Sequence, residues 1–386
     1  LNLQELKQEQ KKALLIFTDV YSEKIISNYN VKSFAALKAI EEEELKNLTE
    51  TIFVNPVFSL RFNINTRNPA TFVGSGQLEK IAETASEENT DVIIFNSDLS
   101  PRVQRNLEAA LDLCVIDRRE VIIQIFADRA QTREAVLQAQ LARLEYSMPR
   151  LTRRWTGLAQ QRGGVKGSRG AGEKKLELDR RRVRTEITRL KNEVEKVRVQ
   201  RTVQRKNRIF GSKKIGAIVG YTNSGKSSLL KKLSGTEIFT EDKLFATLDA
   251  ETRKIYFENE LGSAQFLLTD TVGFVSNLPH QLIDAFRSTL DEAVIADFLL
   301  IICDASHPAM RECLNVTMEV LHELNCADKP TVIAINKMDA PFDPTEIMAL
   351  KTQHPEAVEI SVKTGLGIEN LKTALFKQVQ NRTKTH

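Results

Sequence analysis

The chain has 386 residues, enough for two or three domains with sizeable buried cores. At 41% hydrophobic, 27% charged and 6% aromatic it has an ordinary globular composition, and it holds no run of ~18 or more apolar residues, so no membrane span is expected. Its net charge of +4 conceals a segregation: Arg150 to Lys214 carry 22 Lys+Arg against 6 Asp+Glu, a local +16 that leaves −12 for the rest, which points to one polyanion-facing module between acidic or neutral ones.

The opening stretch LNLQELKQEQKKALLIF lacks the charged, apolar and small-residue regions of a signal peptide. The four cysteines, Cys114, Cys303, Cys313 and Cys326, show no C-x-x-C pairing. Reduced thiols in a cytoplasmic protein are expected, and no disulfide or zinc framework.

Residues 1–130 read as a small α/β domain. FAALKAIEEEELKNL has the pattern of an amphipathic helix. VIIFN (Val92–Asn96) and REVIIQIF (Arg119–Phe126) are rich in β-branched residues and are expected to be buried strands. Between VIIFN and CVID lies SDLSPRVQRNLEAALDL, expected to be helical after Pro101. Pattern alone gives this region no function.

Residues 131–207 change character. Leu137, Leu141, Leu144, Met148 and Leu151 recur at spacings of four and three, a helical seam. A second seam runs through Leu176, Val183, Ile187, Leu190, Val194 and Val197. Between them GLAQQRGGVKGSRGAG holds six glycines and is expected to be a flexible tip. The arrangement reads as a basic antiparallel helical hairpin. Its candidate RNA-binding residues are Arg153, Arg154, Arg162, Lys166, Arg169, Lys174, Lys175, Arg180, Arg181 and Arg182. The alternative is a solvated coiled coil whose charges confer only solubility, although such helices usually mix both signs. Trp155 has two readings as well: it stacks on a nucleobase or it caps the apolar seam.

Residues 208–386 alternate strands and helices, with IGAIVG, AQFLLTD, FLLIICDAS, TVIAIN and AVEIS as the strands. That is the signature of a doubly wound, mostly parallel sheet. GYTNSGKSS follows the first strand directly and satisfies G-x-x-x-x-G-K-[ST] in strand–loop–helix context. The loop Gly220, Tyr221, Thr222, Asn223, Ser224, Gly225, Lys226, Ser227 and Ser228 would cradle phosphates with backbone amides and a helix N-terminus. Lys226 would reach the β- and γ-phosphates, and the Ser227 hydroxyl would ligate Mg²⁺. An apolar strand then ends in DTVGF, where Asp270 would hold a water on the metal and Gly273 would bring its amide to the γ-phosphate. Thr247, in LFATLDAETRK (Leu244–Lys254), stands between these motifs in the chain and would close over Mg²⁺. Lys226, Thr247 and Gly273 are thus the candidate catalytic groups, and Ser227, Thr247 and Asp270 the candidate metal set.

NKMD supplies base recognition: Asp339 would accept from guanine's ring N–H and amine, with Asn336 on the other edge and Lys337 beside it. Adenine would leave that carboxylate unpaired. EISVKTG adds Ser361, Val362 and Lys363, where a backbone amide would meet guanine O6. One position departs from the common pattern. Phe274 stands where many switches place a glutamine that orients water, so either hydrolysis is absent or something else places the water.

The runs GYTNSGKSSLL, FATLDAETR, DTVGFVSNLPHQLIDAFRSTLDEA and INKMD resemble the HflX family of translation-factor-related GTPases. The resemblance continues upstream through FADRAQTREAVLQAQLARLEYSMPRL and GGVKGSRGAGEKKLELDRRRV, and covers about residues 70 to 375. It implies a GTP- and Mg²⁺-using enzyme that hydrolyses GTP slowly alone, binds the large ribosomal subunit and its rRNA, and separates 70S ribosomes. It also implies a hydrophobic residue after the switch glycine, so that Phe274 is expected; the ribosome would rearrange the switch so that backbone, another residue or RNA positions the water. A cytoplasmic monomer is expected. The family's tip loop commonly reads GGIGTRGPGET, whereas here Lys166, Lys174 and Lys175 are added and Ala171 replaces a proline. The extra C-terminal domain of some members is expected to be absent. A competing reading is a GTP-switched protein-binding adaptor. An ATP-driven RNA remodeller is a third, but FVGSGQLEK (Phe72–Lys80) lacks the GK[ST] ending of a second P-loop.

Overall fold

The structure is a computed structural model that describes residues 11–20, 31–151, 169–209, 214–235, 250–259, 262–275 and 290–380. These fall into two compact units. One takes those within Leu1–Ile25, Leu48–Asp128 and Thr132–Thr202; the other takes those within Ile26–Asn47, Arg129–Gln131 and Val203–His386. Helix α1 (Val31–Thr51) therefore contributes most of its length to the second unit.

The first unit is built on β1 (Lys12–Val20), β2 (Asn55–Ile64), β3 (Val92–Phe95) and β4 (Cys114–Asp117), in the order β2-β1-β3-β4 and all parallel. A parallel strand covered on both faces needs an unbroken apolar run, and Ala13–Phe17 in β1 is at most 1% exposed. Helices α2 (Ser75–Glu87) and α3 (Pro101–Leu111) add Ile81, Val103 and Leu107 to its core. Helix α3 starts as expected at Pro101: the Ser100 side chain accepts from the Val103 amide, proline occupies the first turn, and Asp112 ends the helix at φ 51°.

REVIIQIF is not a strand but the body of helix α4 (Arg118–Arg129). Val121, Ile122, Ile123, Ile125 and Phe126 are all buried, so no polar face marks the helical period in the sequence. Asp117, the last residue of β4, turns the chain at once by accepting from the Glu120 amide at 2.9 Å.

The hairpin consists of α5 (Arg133–Ser147), a 3-10 turn (Met148–Arg150) and α6 (Arg169–Ile209). It is antiparallel: Lys191 pairs with Glu145 at 2.8 Å, while Arg180, earlier in α6, donates to the later Leu151 carbonyl at 3.2 Å. Ile187 and Leu190 of the second seam are buried, with Val183, Val194 and Val197 half-buried. Gly170 and Gly172 belong to the first turn of α6 and not to the tip. Glycine costs ~1 kcal/mol in a helix interior, but first-turn amides have no intrahelical partner to lose. Arg150 anchors the root: it donates to Gln104 Oε1 and to the Leu99 carbonyl at 2.7 Å each, and stacks over the Tyr146 ring at 3.5 Å.

The second unit holds a six-stranded sheet of order β10-β9-β8-β5-β7-β6. Its strands are β5 (Ile215–Gly220), β6 (Glu251–Asn259), β7 (Gly262–Asp270), β8 (Phe298–Asp304), β9 (Thr331–Asn336) and β10 (Val358–Glu359). All ladders are parallel except β6–β7. The end of the LFATLDAETRK stretch, Glu251–Lys254, already pairs with β7. Helices α7 (Lys226–Ser234), α8 (Met310–Glu323), α9 (Pro344–Gln353) and α10 (Ile368–Gln380) complete the doubly wound fold. Its core brings together Ile218, Leu229, Phe266, Leu268, Phe298 and Leu371. Among the described residues no helix is long and apolar enough to cross a membrane. All four cysteines are free thiols.

Candidate nucleotide-binding site

The loop between β5 and α7 stands at the carboxyl end of a central parallel strand, where open α/β sheets place ligands. Two backbone conformations shape it: Asn223 at φ 58° and Gly225 at φ 96°. A side chain at Gly225 would collide with Asn336, whose Nδ2 would lie 2.3 Å from the added Cβ. The loop is held from several directions. Asn336 Nδ2 donates to the Ser224 carbonyl at 2.8 Å, and the Thr222 amide donates to the Phe274 carbonyl at 2.8 Å.

Lys226 is 6% exposed, and its ammonium donates to the Tyr221 carbonyl at 2.6 Å. Burial pushes its pKa down to about 8, with Asp270 opposing the shift. A Cβ on Gly273 would lie 2.8 Å from Lys226 Nζ and 2.8 Å from Thr222 Cα, so only glycine brings this backbone so close to the lysine. Ser227 Oγ donates to Asp270 Oδ2 at 2.6 Å, and β5–β7 pairing sets Asp270 opposite Ile218. Ser228 lies in the first turn of α7, half-buried.

A hydroxyl and a carboxylate side by side are hard oxygen donors. They suit Mg²⁺, which keeps several waters and takes the rest of its ligands from one or two carboxylates and phosphate oxygens. Thr247, the third candidate metal ligand, lies outside the described residues.

The base end forms at the tips of β9 and β10. Asn336 Oδ1 accepts from the Val362 amide at 3.1 Å. Ser361 Oγ donates to Asp339 Oδ1 at 2.6 Å, and that hydroxyl holds the Asp339 carboxyl below the usual carboxylate range. Lys363 Nζ stands 4.0 Å from Asp339 Oδ2, and Lys337, at φ 66°, pairs with Asp304 at 2.6 Å. The candidate base residues are therefore one hydrogen-bonded group, with Asn336 tying them to the phosphate loop. Asp304 had no assigned role in the sequence reading; its only signal there was its place at the end of a strand.

Phe274 is 1% exposed and its ring belongs to the interior. Its backbone is fastened to the phosphate loop on both sides, donating to the Gly220 carbonyl at 3.1 Å and accepting from Thr222. Arg153, Arg154, Trp155, Arg162 and Lys166 lie outside the described residues. Arg169, Lys174 and Lys175 fall in the start of α6, while Arg181 and Arg182 are exposed and Arg180 is half-buried.

Comparison with known proteins agrees with this geometry. Residues 40–127 match the model of the GTP-binding GTPase N-terminal region, 129–208 that of the GTP-binding GTPase middle region, and 216–337 that of the 50S ribosome-binding GTPase family. GTPase HflX of Treponema denticola is 70% identical over 374 residues, covering 94% of this chain and 96% of that one. GTPase HflX of Akkermansia muciniphila is 41% identical, covering 93% and 84%. Among solved structures, SsGBP in complex with GDP aligns over 96% of this chain and 98% of that one, at 23% identity and a TM-score of 0.51, a likeness of fold. With its strand–loop–helix phosphate motif, and at this level of identity over nearly the whole of both chains, the chain belongs to the HflX family of GTPases.

Proposed function

We propose that this GTPase binds the large ribosomal subunit through the basic hairpin and separates 70S ribosomes in a GTP-dependent cycle in the cytoplasm, acting as a monomer. The observation that carries the reading is α6: 41 residues long and with Arg181, Arg182 and Arg184 exposed, in a chain whose nucleotide unit matches a 50S ribosome-binding GTPase family. Phosphate neutralisation dominates protein–RNA affinity, and an exposed arginine row supplies it.

In the proposed cycle the loop amides and Lys226 hold the β- and γ-phosphates, and the Gly273 amide meets the γ-phosphate. Asp339 selects guanine while Asn336 keeps the base and phosphate ends in register. Ser227, Asp270 and Thr247 would hold Mg²⁺, which when bound neutralises charge on the phosphates. The Phe274 ring, being buried, contributes no water contact, so the water-orienting group is supplied by the partner or by another part of the chain.

The test is co-sedimentation with purified 50S and 70S particles, with gradient analysis of splitting. Glutamate at Arg181, Arg182 and Arg184 should cut binding at least about tenfold and leave GTP turnover without ribosomes unchanged. Arg180 is spared because it holds the Leu151 carbonyl. Wild-type binding should weaken steeply with salt. Unchanged binding by the triple variant would favour the protein-binding adaptor instead.

Phe274→Gln addresses the water. Burying an amide in place of this ring should cost about 3 kcal/mol of stability, read by urea unfolding. Basal GTP turnover should change by less than about tenfold, or ~1.4 kcal/mol of barrier, while ribosomes still stimulate the wild type. A large ribosome-independent rise would mean that the side chain itself limits hydrolysis.

A further inference from the structure

Tyr221, the second residue of the phosphate loop, is 8% exposed, and its hydroxyl donates to Glu44 Oε2 at 2.9 Å across 177 residues of sequence. Glu44 lies in α1, in the part of that helix belonging to the same compact unit as the loop. It closes the run Glu41–Glu44, and the burial of the four differs: Glu43 is exposed, Glu41 and Glu42 are half-buried, and Glu44 is 5% exposed. A solvated acidic helix would keep all four carboxylates in water. Burying one is costly unless hydrogen bonds compensate it, and one donor here is a phosphate-loop side chain.

Tyr221 also sits at a junction. Its carbonyl accepts from Lys226, its backbone bridges to Phe274, and its neighbours Gly220 and Thr222 hydrogen-bond the two sides of Phe274. Its ring faces His307 at 6.2 Å. Anchoring the Tyr221 side chain therefore fixes a residue that touches both Lys226 and Phe274.

We propose that Glu44 is a positioning residue of the nucleotide site: through the Tyr221 hydroxyl, helix α1 sets the shape of the phosphate loop and hence the affinity for guanine nucleotide. The proposal rests on the nucleotide-site assignment above. It also gives α1 a direct hold on the nucleotide site, so that anything displacing this helix would change nucleotide retention. Neither Glu44 nor the tyrosine hydroxyl touches reacting atoms, so the effect belongs in binding and not in the chemical step.

The experiment titrates the full-length protein with fluorescent GDP and measures GTP turnover for Tyr221→Phe, Glu44→Gln, the double variant and Glu43→Gln, with thermal unfolding of each. Each of the first two should raise Kd and KM about fivefold or more, the scale of a buried charge-assisted hydrogen bond partly transmitted to the site, and leave kcat within about twofold. The double variant should be no weaker than Tyr221→Phe alone, because the two groups share one interaction. Glu43→Gln should match wild type. Wild-type affinity in both single variants, losses that add in full, or a loss that only tracks a fall in Tm would overturn the proposal. Failure of wild type itself to bind GDP would instead remove the site assignment beneath it.

Discussion

Lys226→Ala is expected to lower kcat/KM for GTP by at least about a hundredfold, the scale seen when a preorganised charge-stabilising donor is removed from an active site. The lysine opens α7, its ammonium rests 2.6 Å from the Tyr221 carbonyl, and Gly273 leaves it a clear approach. Without it the transferred phosphoryl group loses the one buried cation among the described residues of the loop. The fold should survive. Burial lowers the ammonium pKa from 10.5 to about 8, so the charged form is favoured more in the unfolded chain than in the folded one. Between about pH 8 and 10.5 the unfolded state then binds more protons, and stability of the nucleotide-free wild type should rise with pH from this group. Alanine should erase that rise. Urea unfolding of both proteins at pH 7.5 and 9.5, beside turnover at neutral pH, checks both halves. Near-wild-type turnover in a folded alanine variant would end the catalytic assignment.

The phosphate loop was legible because its motif constrains three things at once: the strand before it, the turn, and the helix after it. Asn336 could be placed at a strand end because it closes the apolar run TVIAIN, whereas Ser361 lies two residues beyond the short strand Val358–Glu359. Helix α4 was not legible, because a run buried on every side shows neither the period of a helix nor that of a strand. Strand β1 was not legible either; its apolar core Ala13–Phe17 is only five residues long and continues a polar stretch. The Glu44–Tyr221 contact had no sequence signal at all. Hydrogen bonds across 177 residues follow from tertiary packing, and four consecutive glutamates look alike until a fold buries one of them. Thr247, Arg153, Arg154, Arg162 and Lys166 stay expectations of the sequence, since they lie outside the described residues.

Asp339→Asn should redirect base choice. The Ser361 hydroxyl, with Lys363 and Lys337 nearby, holds this carboxyl below its usual range, so it is ionised at neutral pH and offers only acceptors. Guanine presents two donors on the matching edge, a ring N–H and an exocyclic amine. Asparagine keeps one acceptor and replaces the other with an amide donor, which faces the guanine N–H or amine as like against like. The Ser361 hydroxyl at 2.6 Å can donate to the asparagine carbonyl, which would turn its NH₂ toward the base and deepen the mismatch. A site built to bond a particular polar group rejects an analogue lacking it by large factors, so GDP and GTP affinity should fall about a hundredfold or more. Xanthine nucleotides carry a carbonyl where guanine has its amine, and the new donor suits them; their affinity should rise. Because Asp339 is exposed, Tm should stay within a few degrees of wild type. Competitive titration with GDP and XDP against a fluorescent nucleotide reads the outcome, and unchanged GDP affinity in the variant would show that another group reads the base.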